Sequence, residues 1–174
     1  MSQVVFLRAV NVGKANRCQP ALIAKELSEF GVVNIGAVGT FVVRKKVSEA
    51  VLRAAIAKQL PFKSEIMIVP GRDLMRLVSS DPFARQPSGS NLTRFLSVLA
   101  KRLPKPPPVP FYLPTQKDWG VKVISVENRF VLGLYVREMK AISYLGKLEK
   151  QLGVPATTRS WTTIERIAKV LNAG

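Results

Sequence analysis

Two short stretches carry the residues whose types and spacing suit chemistry. Near the start, Val4-Val5-Phe6-Leu7-Arg8-Ala9-Val10-Asn11-Val12-Gly13-Lys14-Ala15-Asn16 sets Arg8 within an apolar run and then breaks into a polar loop. Near the end, Thr157-Thr158-Arg159-Ser160-Trp161-Thr162-Thr163 places an arginine and a tryptophan among hydroxyls. Arg8, Lys14 and Arg159 supply positive charge. Asn11, Asn16, Thr158 and Ser160 supply neutral hydrogen bonds, and Trp161 offers a stacking face. A helix opening at the second stretch adds backbone N–H groups and the positive end of its dipole. Together these suit a phosphate, a nucleotide or an exposed base. Each residue also has a plainer use: Gly13 turns, Asn11 bonds local backbone, Thr162 caps with Glu165, and Trp161 fills the core.

Composition narrows the chemistry. The chain has 174 residues and no histidine, which removes Ser-His-Asp triads, Cys-His pairs and His-containing zinc sites. With one cysteine, Cys18, there is no internal disulfide and no thiolate metal site, so a reducing cytoplasm is the expected setting. Glu26 and Glu29 are the closest acids, and at this spacing they share a helix face; hard-cation binding is not expected. No stretch reaches the roughly 20 apolar residues that cross a bilayer. The opening Met1-Ser2-Gln3 has no basic region of the kind that begins a signal peptide. Net charge is +16, from 27 Lys and Arg against 11 Asp and Glu. Spread evenly, those excess charges stand about 20 Å apart, beyond the Debye length of about 8 Å, so only clustering makes them functional.

The elements that position these residues follow from periodicity. Residues 4–9 read as a central strand with Arg8 on the face of Val4 and Phe6. There Arg8 either reaches solvent or a carboxylate at the strand end or lines a site. A helix follows from Pro20 with Ile23, Leu27 and Phe30 on one face and Gly31 as its stop. Strands are expected at 32–38 and 40–44. A helix capped by Ser48 follows, then a strand at 65–69 and a short helix at 73–79. The order β-α-β-β-α-β is that of a ferredoxin-like half. Beyond it, 92–99 reads as a strand. Pro104 to Pro110 reads as a polyproline spacer, with recognition by an aromatic groove as the other reading. Residues 120–126 and 129–136 form a hairpin with Asn128 near the turn, and two helices close the chain. Basic residues recur at the same spacing along both helices, Lys140, Lys147 and Lys150, then Arg159, Arg166 and Lys169, the first of each set preceding or opening its helix. Each set reads as a solvated face, or as half of one patch if the helices lie side by side. The expected fold class is α+β, with a ferredoxin-like βαββαβ first half and a smaller α+β second half ending in two helices. The subdomains are expected at 1–82 and 83–174, packed as one compact unit.

The two stretches together resemble the mostly bacterial domain-of-unknown-function family 1697, which opens with a pattern close to LLRGINVGGKN and closes with one close to TxRNWNT. Here the first reads Phe6 to Asn16 and the second Thr157 to Thr163. Asp81-Pro82-Phe83 is similar to the family's Asn/Asp-Pro-Phe motif, and residues 148–153 to its helix-ending segment. The resemblance covers nearly the whole chain and implies an α+β fold with ferredoxin-like halves. It implies no established activity. Three departures stand out. Ala9 and Gly13-Lys14 replace glycines of the first motif, and Ser160 replaces an asparagine. The middle motif, near YIQSGNVVF, survives in residues 35–43 as its glycine and strand character, so any chemistry it carries is altered here.

The function expected from these residues is binding of an anionic ligand, nucleic acid or a phosphorylated molecule, through Arg8, Asn11, Lys14, Asn16, Thr158, Arg159, Ser160 and Trp161. No helix-turn-helix, RNP, KH or zinc-finger signature accompanies them, so nucleic-acid binding would be largely independent of sequence. The alternatives are a histidine-independent enzyme on a nucleotide-like substrate with Lys14 leading, and a structural or adaptor protein. Neither a Walker A pattern nor GxGxxG is present, and no cofactor or metal is expected.

Overall fold

The computed structural model describes residues 1–174. The chain is α+β and divides into two units: 1–80 with 163–174, and 81–162.

In the first unit, β1 (Gln3–Leu7), α1 (Pro20–Glu26), β2 (Val32–Asn34), β3 (Thr40–Val43), α2 (Glu49–Gln59), β4 (Ile66–Pro70) and α3 (Gly71–Ser79) follow in order. The sheet is antiparallel throughout, in the order β2-β3-β1-β4. Each helical crossover therefore joins two strands that flank a third, the ferredoxin-like arrangement expected from the pattern. β1 is central and its last four residues are fully buried, as a strand apolar on both faces requires. The core beneath the sheet gathers Val5, Leu7, Phe41 and Ile68 with Ile23 of α1 and Leu52 and Ile56 of α2. Ser48 caps α2 as expected, its hydroxyl accepting from the Val51 amide at 3.3 Å. Gly31 sits at φ 64 and ends the first helical segment after a short 3-10 turn. β2 is shorter than the run 32–38 suggests, because Gly36 and Gly39 take φ of 75 and 80 and turn the chain. At Gly39 a Cβ would stand 2.7 Å from Leu7 Cβ, so this turn presses directly on the central strand.

The second unit holds β5 (Leu92–Leu99), β6 (Phe111–Pro114), β7 (Trp119–Glu127), β8 (Phe130–Val136), α4 (Met139–Leu152) and β9 (Ala156–Ser160). Its antiparallel sheet runs β6-β7-β8-β5-β9. Without β6, the order β7-β8-β5-β9 is that of β2-β3-β1-β4. The fold is thus repeated, with the first crossover helix replaced by the proline segment and an added edge strand. Five prolines between 104 and 110 explain the replacement, since proline lacks the N–H a helix interior uses. The strands β4 and β9 each run straight into a helix, α3 and α5 (Trp161–Asn172) respectively.

Two local expectations need correction. Residues 156–160, for which periodicity predicts no strand, form one in which Thr157 and Arg159 face inward while Thr158 and Ser160 are half-buried. Polar β-branched residues on an edge strand give no apolar alternation to read. α5 then begins at Trp161, so Thr162 lies inside its first turn and not at the N-cap.

Candidate anion-binding site

The loop after β1 is built on left-handed backbone. Ala9, Asn11, Gly13 and Asn16 have φ of 57, 55, 60 and 51. Position 9 is where the family pattern has glycine, and the left-handed φ is the reason that glycine suits it. Asn11 pays for its conformation with its side chain. Its Nδ2 donates to the Cys18 carbonyl at 3.0 Å and to the Ala37 carbonyl at 2.8 Å, and its Oδ1 accepts from the Cys18 amide at 2.9 Å. Both ends of the amide are therefore taken up by backbone, tying the loop to the β2–β3 turn. Asn16 closes the loop: its carbonyl accepts from the Asn11 amide at 3.0 Å and its Nδ2 donates to the Ala9 carbonyl at 3.2 Å.

This loop forms one wall of a cleft of about 600 Å³ lined by Arg8, Ala9, Asn16, Arg53, Lys63 and Glu65 among others. Arg8 lies just past the end of β1, where its amide donates to the Glu65 carbonyl at 3.0 Å. Its own carbonyl accepts from the Ser64 hydroxyl at 2.7 Å, which stitches the 60–65 connection to the end of β1. Arg53, on α2, is held between Glu49 at 2.8 Å and the Ile66 carbonyl. Lys63 and Glu65 are exposed on the connection from α2 to β4. Three cations thus share the lining with one carboxylate. Ala57, Leu60, Phe62 and Ile66 are its apolar lining residues, and Ser64 lines it too. Of the residues singled out in the first stretch, the structure brings Arg8 and Asn16 to this cleft. Lys14 is exposed on the loop outside its lining, and Asn11 is half-buried, bonded to backbone, and lines a neighbouring cleft with Arg17 and Cys18. Burial raises the Cys18 thiol above its ordinary pKa, which keeps it protonated and a poor nucleophile at neutral pH.

Arg53 and Lys63 carried no local signal. Arg53 reads as the partner of Glu49 on a solvated helix face, and Lys63 as a turn residue. They reach the cleft because β4 pairs with β1, which brings the α2–β4 connection beside the end of β1.

Thr157 to Thr162 of the second stretch belong to the other unit. Trp161 is 8% exposed and packs edge-to-face on Phe83 with centroids 5.0 Å apart, the aromatic packing expected of a core residue. The Thr158 hydroxyl pairs with that of Ser97 at 2.6 Å. Arg159 is also 8% exposed; its Nη1 donates to Thr157 Oγ1 at 2.7 Å and to the Thr158 carbonyl at 3.0 Å. Desolvation lowers its pKa to about 10, so the guanidinium remains charged at neutrality. A lysine here would meet the same desolvation from a lower starting pKa and be drawn toward neutral pH. Arg159→Lys is therefore expected to cost about 1–2 kcal/mol at pH 7, through desolvation of the more strongly hydrated ammonium and displacement of the bonds to Thr157 and Thr158. The folded state of that variant binds fewer protons than the unfolded one, so its stability should rise with pH by about 1 kcal/mol between pH 7 and 9 relative to the wild type. Urea melts at both pH values measure this; parallel behaviour of variant and wild type would contradict it.

No helix is long and apolar enough to cross a membrane, and no three Cys, Asp or Glu side chains group closely enough to hold a metal ion. Comparison with known proteins adds the following. No curated protein matches the chain. Among solved structures, a conserved bacterial protein from Streptococcus pneumoniae matches at a TM-score of 0.59 and 16% identity, covering 98% of each chain. At that identity the likeness carries the fold alone. The family model described as protein of unknown function, DUF1697, matches residues 1–109, a span that includes the loop after β1, the cleft and the Asp-Pro-Phe motif, and the chain belongs to this family.

Proposed function

We propose that the protein binds an anionic ligand in the cleft at the end of β1. The observation that supports this is the convergence of Arg8, Arg53 and Lys63 with Asn16 on a space of about 600 Å³, within the roughly 300–1,000 Å³ typical of small-molecule sites. Arg8 is positioned by backbone bonds through its own amide and carbonyl, and Arg53 by Glu49. Such pre-organised cations lose little freedom on meeting a phosphate. Lys63 adds an exposed point charge to the lining. A cytoplasmic setting belongs to the same reading, supported by the single free thiol of Cys18.

Lys63→Glu tests it. The side chain is exposed and in no ion pair given by the structure, so reversal leaves the fold intact. Replacing attraction by repulsion near a phosphate is worth about 1–2 kcal/mol in a solvated site. Affinity for inorganic pyrophosphate or a phosphorylated ligand should then fall roughly tenfold in calorimetric titration, and wild-type binding should weaken with salt. Equal affinity in wild type and variant would refute the cleft as the site.

A further inference from the structure

From the presence of both cationic and apolar side chains in the lining of the cleft, we infer that its ligand is a small phosphate monoester with a ring-bearing body, of nucleoside monophosphate size. This rests on the anion-binding reading and narrows it. Phe62 and Leu60 line the cleft and also pack against the core of the first unit, which fixes their positions. A ring anchored in this way offers contact area with little entropy left to lose. An inorganic anion has no use for such a contact. The charged part of the lining is Arg8, Arg53 and Lys63, and Asn16 adds a neutral polar group. Glu65 is the one acid in the lining. A carboxylate accepts hydrogen bonds and repels phosphate, so it suits a ligand that carries hydroxyl donors and ends its charge at one phosphate. It interrupts the continuous positive track that a nucleic-acid strand follows. Size agrees: about 600 Å³ exceeds what a bare phosphate fills and stays within the small-molecule range.

The test is calorimetric titration of the full chain with inorganic phosphate, AMP and an eight-nucleotide single-stranded RNA. The proteins are the wild type, Phe62→Ala, Phe62→Leu and Lys63→Glu. AMP should bind at least tenfold tighter than inorganic phosphate. Phe62→Ala should remove most of that difference without changing the affinity for inorganic phosphate. Phe62→Leu keeps the core filled and should lose only part of it, which separates ring contact from destabilisation. Lys63→Glu should weaken both ligands alike. Equal affinities for AMP and inorganic phosphate, both sensitive to Lys63→Glu, would overturn the ring-bearing ligand while leaving anion binding standing. Absence of binding by all three would overturn both readings. Tighter binding of the RNA than of AMP, with a salt slope that counts several phosphates, would replace the small ligand by nucleic acid.

Discussion

Gly133→Ala should destabilise the second unit by about 3 kcal/mol or more, through overpacking against a backbone that cannot yield. Gly133 lies in β8, between β5 and β7, opposite Phe95 on one side and Val123 on the other. A Cβ there would stand 2.5 Å from the Lys122 carbonyl oxygen and 2.7 Å from Phe95 Cζ. Phe95 is fully buried, and its ring also lies 5.9 Å from that of Tyr135. The β7–β8 register shifts beside this point, between Val123 and Ser125, and the absence of a side chain lets the irregular strand approach. Phe95→Leu should relieve the ring contact but not the carbonyl contact, so the double variant should recover only part of the loss. Trp119 and Trp161 are the two tryptophans and both belong to this unit, so their fluorescence in a urea titration reports its unfolding. A midpoint unchanged by Gly133→Ala would show that β7 moves aside freely.

Asn11→Ala should lower the stability of the first unit by about 3–5 kcal/mol and weaken ligand binding together with it. Three hydrogen bonds go with the side chain, those to the Cys18 carbonyl, the Ala37 carbonyl and the Cys18 amide. Each is worth about 0.5–1.5 kcal/mol net, and a left-handed alanine adds about 1 kcal/mol of strain that asparagine bears more easily. Asn11→Gly separates the two contributions: it loses the same bonds but accepts φ 55 without strain, so it should fall between Asn11→Ala and the wild type. Binding should follow because Ala9 and Asn16, on the same loop, line the cleft. Far-UV circular dichroism in urea and phosphate-ligand titration are the two readouts. Loss of binding at full stability would instead make Asn11 a direct ligand contact.

The legible part of the site was its first half. Arg8 within an apolar strand and asparagines around Gly13 are local features, and the structure gives them local causes: a charge displaced past the strand end, and left-handed turns that asparagine and glycine tolerate. Trp161 and Arg159 were legible as residue types but not by burial. Aromatic and guanidinium groups serve a core or a ligand equally well, and only the packing on Phe83 and the bonds to Thr157 and Thr158 assign these two to the interior of the second unit. Arg53, Phe62 and Lys63 were hidden in ordinary helix and turn composition.

The amino-acid sequence by itself determined the α+β class, the ferredoxin-like order of the first half and the absence of a helix in the proline segment, and it removed the chemistries that need histidine or paired cysteines. These depend on residue type and on periods of two and 3.6 residues, which are properties of neighbours along the chain. The repetition of the sheet order in the second unit, the polar strand β9 and the meeting of Arg8 with Arg53 and Lys63 were decided by tertiary structure alone. Each depends on which strand pairs with which. The pairing of β1 with β4 brings together residues more than forty positions apart, whose juxtaposition no local pattern records.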